Sequence, residues 1–232
     1  MKSGPPLRKV APGARQLIAE VEALRAFGEH RAVKVVDVNR DERAMLLERV
    51  MPGTTLASSA SEDEAMRVVA GLFSTGWPAI PPASAATPID DCLPALDAGS
   101  FARARSIFSG LLADSASAVL LHGDLHYDNI LVSDRGGHLL IDPKGFTGDP
   151  AFDIGYLVSR PMPSARDALP LPRAIDRRLA FLPDALGLDP RRVAAFAYVA
   201  AALSVAWARE DRDPSLPLFE EALRLLSPRV EV

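Results

Sequence analysis

The sequence holds a single cysteine, Cys92, so no intrachain disulfide can form and folding needs no oxidising compartment. It also lacks any stripe of lysine and arginine. A formal net charge of −4 supplies no attraction toward phosphate backbones, which argues against nucleic acid as a partner. The longest apolar stretch, Val193 to Ala208, interrupted only by Ser204, falls short of the ~20 residues a bilayer span requires and is rich in alanine. It reads as a buried helix, and no membrane partner is expected. The leading Met1-Lys2-Ser3-Gly4-Pro5-Pro6 has neither the apolar core nor the small-residue cleavage site of a signal peptide, so a cytoplasmic protein is expected. No internal repeat and no low-complexity tail is visible.

What is present is the composition of an ordinary globular protein, 48% hydrophobic and 24% charged over 232 residues, a length that suits one domain or two tightly packed lobes. Residues 7 to 10 form a short extended candidate. After Pro12-Gly13, Leu17, Val21 and Leu24 recur at helical spacing and predict a helix from about Ala14 to Phe27. Apolar runs at Ala32 to Val38 and Ala44 to Val50 flank the polar cluster Asn39-Arg40-Asp41-Glu42 and predict an antiparallel hairpin. Met51-Pro52-Gly53 should then break the sheet, and the boundary between two lobes is placed there.

Further on, Ser61-Glu62-Asp63-Glu64 has the form of a capping box and opens a helix carrying Met66, Val69, Ala70 and Phe73. Prolines dominate from Trp77 to Pro94, which reads as a loop. A helix is predicted over about Ser100 to Leu112, and a short strand over Ala118 to Leu121. Ile130-Leu131-Val132 and His138 to Ile141 enclose Arg135-Gly136-Gly137, a hairpin signal. Asp189-Pro190 reads as the cap and first residue of a long helix running to about Arg209, and a last helix covers about Pro217 to Leu226.

The segments richest in chemistry are His122-Gly-Asp-Leu-His-Tyr-Asp-Asn129, Ile141-Asp-Pro-Lys-Gly145 and Gly148-Asp-Pro-Ala-Phe-Asp153. Phosphoryl transfer needs a group to orient the attacking hydroxyl, oxygen ligands for Mg²⁺, and positive charge on the triphosphate. Asp124 and Asn129 lie on one loop, spaced so that one can face the acceptor and the other a metal. Asp142 ends a hairpin strand whose partner begins just after Asn129, so strand pairing brings the two metal-ligand candidates together. An alternative is a hydrolytic metal centre built on His122, Asp124, His126 and Asp128, although such centres usually take several imidazoles. His122 alone reads more simply as a loop-bracing histidine, and Asp149 beside Pro150 as a turn former.

Together with Leu7-Arg-Lys-Val10, Glu20-Val-Glu-Ala-Leu-Arg25, Leu46 to Val50, Pro52-Gly53 and Leu188 to Val193 onward to Trp207 and Asp211, these segments resemble the aminoglycoside phosphotransferases. The resemblance is greatest to the branch of streptomycin 6-phosphotransferase and hydroxyurea phosphotransferase. It implies an α+β, protein-kinase-like two-lobe fold. Residues 1–53 would form a truncated N-terminal β lobe of strand, helix, hairpin and hinge, and residues 54–232 a mainly helical C-terminal lobe with the catalytic and metal-binding loops. The implied activity is transfer of a phosphoryl group from ATP to a hydroxyl of a small aminoglycoside-like molecule, with ATP and Mg²⁺ as cofactors and streptomycin as the leading substrate.

Carried over position by position, the resemblance makes Asp124 the catalytic carboxylate and Asn129 and Asp142 the Mg²⁺ ligands. Lys9 would grip the phosphates. Its glutamate partner is Glu20 or Glu22, and Glu20 is chosen because it lies at the edge of the apolar stripe while Glu22 faces solvent. Glu48, Arg49 and Val50 would form the hinge that binds adenine through its backbone, and Asp153 would tie down the catalytic loop. Glu210 and Asp211 would suit a guanidinium-bearing substrate. No glycine-rich loop precedes Lys9, so either the start is misplaced or truncated, or the protein is a catalytically impaired nucleotide- or drug-binding remnant; a kinase of another small molecule on the same fold is a separate alternative. A protein kinase is disfavoured by the lack of Asp-Phe-Gly and Ala-Pro-Glu elements. The oligomeric state is left open.

Overall fold

The computed structural model of the chain describes residues 5–97, 99–114, 118–162 and 169–230. Met1 to Gly4, read above for a targeting signal, lie outside them. The chain enters through β1 (Leu7–Val10) and turns into α1 (Ala14–Phe27), which buries Leu17, Val21, Leu24 and Phe27, the stripe expected from helical spacing. Gly28 stops the helix at φ 81, a conformation that costs glycine little. β2 (Val35–Asn39) and β3 (Ala44–Leu47) pair antiparallel, with Asn39 opposite Ala44, and β1 lies on the other side of β3, giving a three-stranded sheet in the order β1-β3-β2.

This sheet ends at Leu47, before the expected break at Met51-Pro52-Gly53, and the chain then passes into β4 (Pro52–Thr55), so residue 53 lies inside a strand. α2 (Leu56–Ser59) follows. α3 (Glu62–Leu72) starts from a complete capping box: Ser61 Oγ accepts from the Glu64 backbone and the Glu64 side chain accepts from the Ser61 backbone. The proline-rich stretch after Trp77 is more ordered than a loop, since it contains β5 (Thr87–Pro88) and a 3₁₀ turn over Ile89–Ala95. Pro88 is tolerated because β5 is an edge strand, where a missing N–H breaks no ladder.

α4 (Ala102–Ala113) leads to β6 (Val119–Leu121) and the catalytic-loop candidate. β7 (Ile130–Ser133) and β8 (His138–Leu140) form the expected hairpin, and β4 adds to β7 to complete a second sheet. β9 (Phe146–Gly148) lies between β5 and β6 in a third. The first two sheets are linked near their ends by a parallel bridge between Ala32 and Leu140.

The remaining elements are helical: α5 (Ala151–Ser159), α6 (Leu171–Leu186), α7 (Pro190–Asp211) and α8 (Leu216–Leu226). α7 begins where expected, with the Asp189 side chain accepting from the Arg191 backbone. It is long and apolar enough to cross a bilayer, yet 78% of its most apolar window is buried inside the fold. α5 crosses it closely, because a Cβ on Gly155 would sit 2.7 Å from the Phe196 and Ala197 backbones. α3 and α6 are clamped by a buried ion pair in which Arg178 Nε donates to Glu62 Oε1 at 2.7 Å, and Tyr127 donates to the same oxygen at 2.8 Å. The catalytic-loop candidate is thereby pinned to the helical core.

Candidate active site

The loop from His122 to Asn129 is held from behind by Asp153. This fully buried carboxylate on the first turn of α5 accepts from the His122 and Gly123 backbones and from Trp77 Nε1, each at 2.8 Å. Burial pushes its pKa up to about 6 against those donors. His122 is also fully buried and spends both ring nitrogens on the loop: Nδ1 accepts from the Asp124 backbone at 3.2 Å and Nε2 donates to Ile141 O at 2.9 Å. That pattern fixes one neutral tautomer, in keeping with burial that pulls the imidazole pKa down to about 4. A histidine so committed has no lone pair for a metal, which rules against the hydrolytic centre. Gly123, at φ 80, lets the backbone turn here, where a Cβ would meet the Phe146 ring at 2.7 Å.

This bracing presents Asp124 to a cavity of about 730 Å³. Burial raises the Asp124 carboxyl, but His126, Lys144, His122 and the Tyr156 hydroxyl together hold it below the ordinary carboxylate range. His126 Nε2 lies 3.8 Å from Asp124 Oδ1, and burial lowers the pKa of that imidazole too. Lys144 Nζ lies 3.4 Å from Asp124 Oδ2. Tyr156 on α5 hydrogen-bonds Asp124 and is itself bonded to Ser204 of α7.

The same cavity is lined by Lys9, Glu20 and Asp142. Lys9 Nζ meets Glu20 Oε1 at 2.6 Å and Asp142 Oδ1 at 2.9 Å. Burial works against the Lys9 charge, and the two carboxylates overcome it and lift the ammonium above its usual pKa. Glu20, more enclosed, is raised by burial despite Lys9. Glu22, the candidate not chosen, turns away to accept from Ser84 and the Ala85 backbone.

Asp142 follows β8 at φ 57, a left-handed conformation uncommon outside glycine and a mark of functional loops. The Ile141 backbone donates to Asn129 O at 3.0 Å, so the two loops are stitched together beside the candidate ligands. Asn129 donates through Nδ2 to Asp124 O at 2.9 Å, which leaves its amide oxygen available. One carboxylate and one amide oxygen fit Mg²⁺, which takes one or two protein ligands and completes its shell with phosphate oxygens and water. No group of three or more His, Cys, Asp or Glu that could cage a metal occurs among the described residues.

Other expected site residues are placed differently. Among the hinge candidates, the Glu48 side chain accepts from the Lys34 backbone and Arg135, and Arg49 donates to Pro5 O. None of Glu48, Arg49 and Val50 lines the cavity, so the expected hinge is not brought to it. Asp211 lines it and Glu210 does not, because successive residues near the end of α7 point to different faces. The cavity wall also includes Tyr156, Ser204, Trp207, Asp213 and Phe219.

Small sheets joined to a helical body, with this cleft between them, define a protein-kinase-like phosphotransferase. The protein choline kinase LicA from Streptococcus pneumoniae superposes with a TM-score of 0.67 at 14% identity, over 96% of this chain and 86% of that one. An aminoglycoside phosphotransferase from Streptomyces rimosus, solved with ADP and streptomycin, superposes with a TM-score of 0.61 at 19% identity, over 87% of each chain. The chain belongs to the aminoglycoside/hydroxyurea antibiotic resistance kinase family, whose sequence model matches residues 7–212. It is 34% identical to the streptomycin 6-kinase of Streptomyces glaucescens over 227 residues, spanning 89% of this chain and 73% of that protein. The hydroxyurea phosphotransferase of Kitasatospora aureofaciens is 30% identical over 222 residues, with 88% and 62% covered.

Proposed function

We propose that this chain moves the γ-phosphoryl group of ATP onto a hydroxyl of an aminoglycoside, with streptomycin as the leading acceptor, in the cytoplasm where both substrates meet. The observation that carries the reading is the presence of Asp124, the Lys9–Glu20 pair and Asp142 on the walls of one cavity. Division of labour follows from chemistry. Asp124 orients the acceptor hydroxyl and takes its proton, and Lys9, steadied by Glu20, holds the phosphates. Asn129 and Asp142 would hold Mg²⁺, which supplies charge neutralisation on the triphosphate when bound. Asp211 and Asp213 line the same cavity, which is in keeping with a guanidinium-bearing substrate. The β1-β3-β2 sheet with α1 would act as the smaller lobe, and the helices as the larger.

Radiolabelled γ-phosphate should pass to streptomycin in the presence of Mg²⁺, and Asp124→Ala should abolish transfer while ADP binding persists. Binding of both substrates by the wild type without any labelled product would overturn the proposal.

A further inference from the structure

We propose that Lys144 is a catalytic residue that contacts the phosphoryl group during its transfer, a role resting on the phosphotransferase reading above. Lys144 sits in the Ile141 to Gly145 segment, two positions after Asp142, and reaches across to Asp124 Oδ2 at 3.4 Å. A phosphoryl group leaving a nucleotide held at Lys9 and Asp142 for a hydroxyl held at Asp124 has to travel between those carboxylates. Lys144 lines the same cavity as both and reaches one of them.

Its backbone is fixed, and its head group is exposed and held, among the described residues, only by the pair with Asp124. The Lys144 N–H donates to His122 O at 2.7 Å. The next residue, Gly145, packs so tightly on α1 that a Cβ there would lie 2.6 Å from Ala19 O. The side chain itself is 57% exposed and points into the cavity, so it contributes little to folding. The other cations on the cavity wall are engaged elsewhere. Lys9 is shared by Glu20 and Asp142, Arg15 donates to Ala85 O, and Arg160 lies over the Tyr156 and Phe219 rings. Among the lysines and arginines on the cavity wall, Lys144 is the one paired with Asp124.

In the transfer step the acceptor oxygen forms a bond to Pγ while the bond from Pγ to the β,γ-bridging oxygen breaks. The departing electron pair stays on the β-phosphate of ADP, and the acceptor proton passes to Asp124. Lys144 keeps its protons throughout and donates hydrogen bonds to the equatorial oxygens, where charge is spread in a loose transition state.

The test compares wild type with Lys144→Met and Lys144→Arg. Loss of one preorganised donor to the transition state predicts that kcat falls by about 10²- to 10³-fold in Lys144→Met, with KM for both substrates nearly unchanged and partial recovery in Lys144→Arg. A second readout is equilibrium binding of ADP with and without aluminium fluoride, a planar mimic of the moving phosphoryl group, followed by intrinsic tryptophan fluorescence. Lys144→Met should bind ADP as the wild type does and lose the extra affinity conferred by fluoride. A fall in kcat of less than about fivefold, a change confined to KM, or unaltered fluoride-dependent affinity would each refute the role. A wild type that transfers nothing would sink the proposed function, while the ADP and fluoride titration would still decide the case for Lys144.

Discussion

Replacing His122 with asparagine should change how stability depends on pH in a direction fixed by burial. In the folded protein the imidazole pKa is pulled down to about 4, against 6.5 when exposed, so between those values the unfolded chain binds the extra proton. Stability from this group is therefore fully present above pH 6.5 and is lost as pH falls toward 4. At 1.36 kcal/mol per unit the full effect is about 3 kcal/mol, of which about 2 kcal/mol appears between pH 7 and pH 4.5. Asp153 works in the opposite sense. Its carboxyl is raised from 3.8 to about 6, so the folded state binds the extra proton and stability falls as pH rises through that window. The two buried groups nearly cancel in the wild type. Urea unfolding at several pH values should show His122→Asn most destabilised relative to wild type at pH 7, with the gap narrowing by about 2 kcal/mol at pH 4.5. A gap that stays constant or widens toward acid would mean that His122 is not held neutral by the fold.

Three other outcomes are expected. Arg178→Met should cost about 3–5 kcal/mol in urea unfolding, because it strands the buried Glu62 carboxylate, and adding Glu62→Met should recover much of that loss. Gly155→Ala should destabilise by about 1–3 kcal/mol through its collision with α7, whereas Gly71→Ala on α3, where an added Cβ meets nothing within 4 Å, should be neutral or stabilising in thermal melts. Glu20→Gln removes the buried charge that steadies Lys9 and should lower kcat/KM for ATP about tenfold or more, corresponding to about 1.5 kcal/mol for a charge-assisted hydrogen bond. An unchanged value in steady-state assays would detach Glu20 from nucleotide binding.

Much of this architecture was legible where local chemistry decides structure. The spacing of Leu17, Val21 and Leu24 marked α1, the capping box marked α3, and Asp189-Pro190 marked α7, because each signal acts within a turn of chain. The choice of Glu20 over Glu22 followed from the same stripe, and the two side chains do turn different ways. α5 escaped because a helix buried on every side has no polar face to give it a period, and α6 because Pro172 and Pro183 read as breakers although they sit near its two ends. The bond between Tyr156 and Ser204 could not be found from sequence, since it exists only once α5 lies across α7. Glu210 shows the converse: an acidic pair looks like one feature in sequence, but the helix separates its members.

Lys9 belongs to the β1-β3-β2 sheet and Asp142 to the end of the β7-β8 hairpin, so their contact at 2.9 Å fastens two pieces that share no strand. A joint made of opposite charges, with Lys9 one-third exposed, responds to dissolved electrolyte in a way that packed hydrocarbon does not. Screening shortens from about 10 Å at 0.1 M to about 3 Å at 1 M. Concentrated salt should therefore loosen this one tie at the cleft, while the backbone bridge from Ala32 to Leu140 keeps the same two sheets joined.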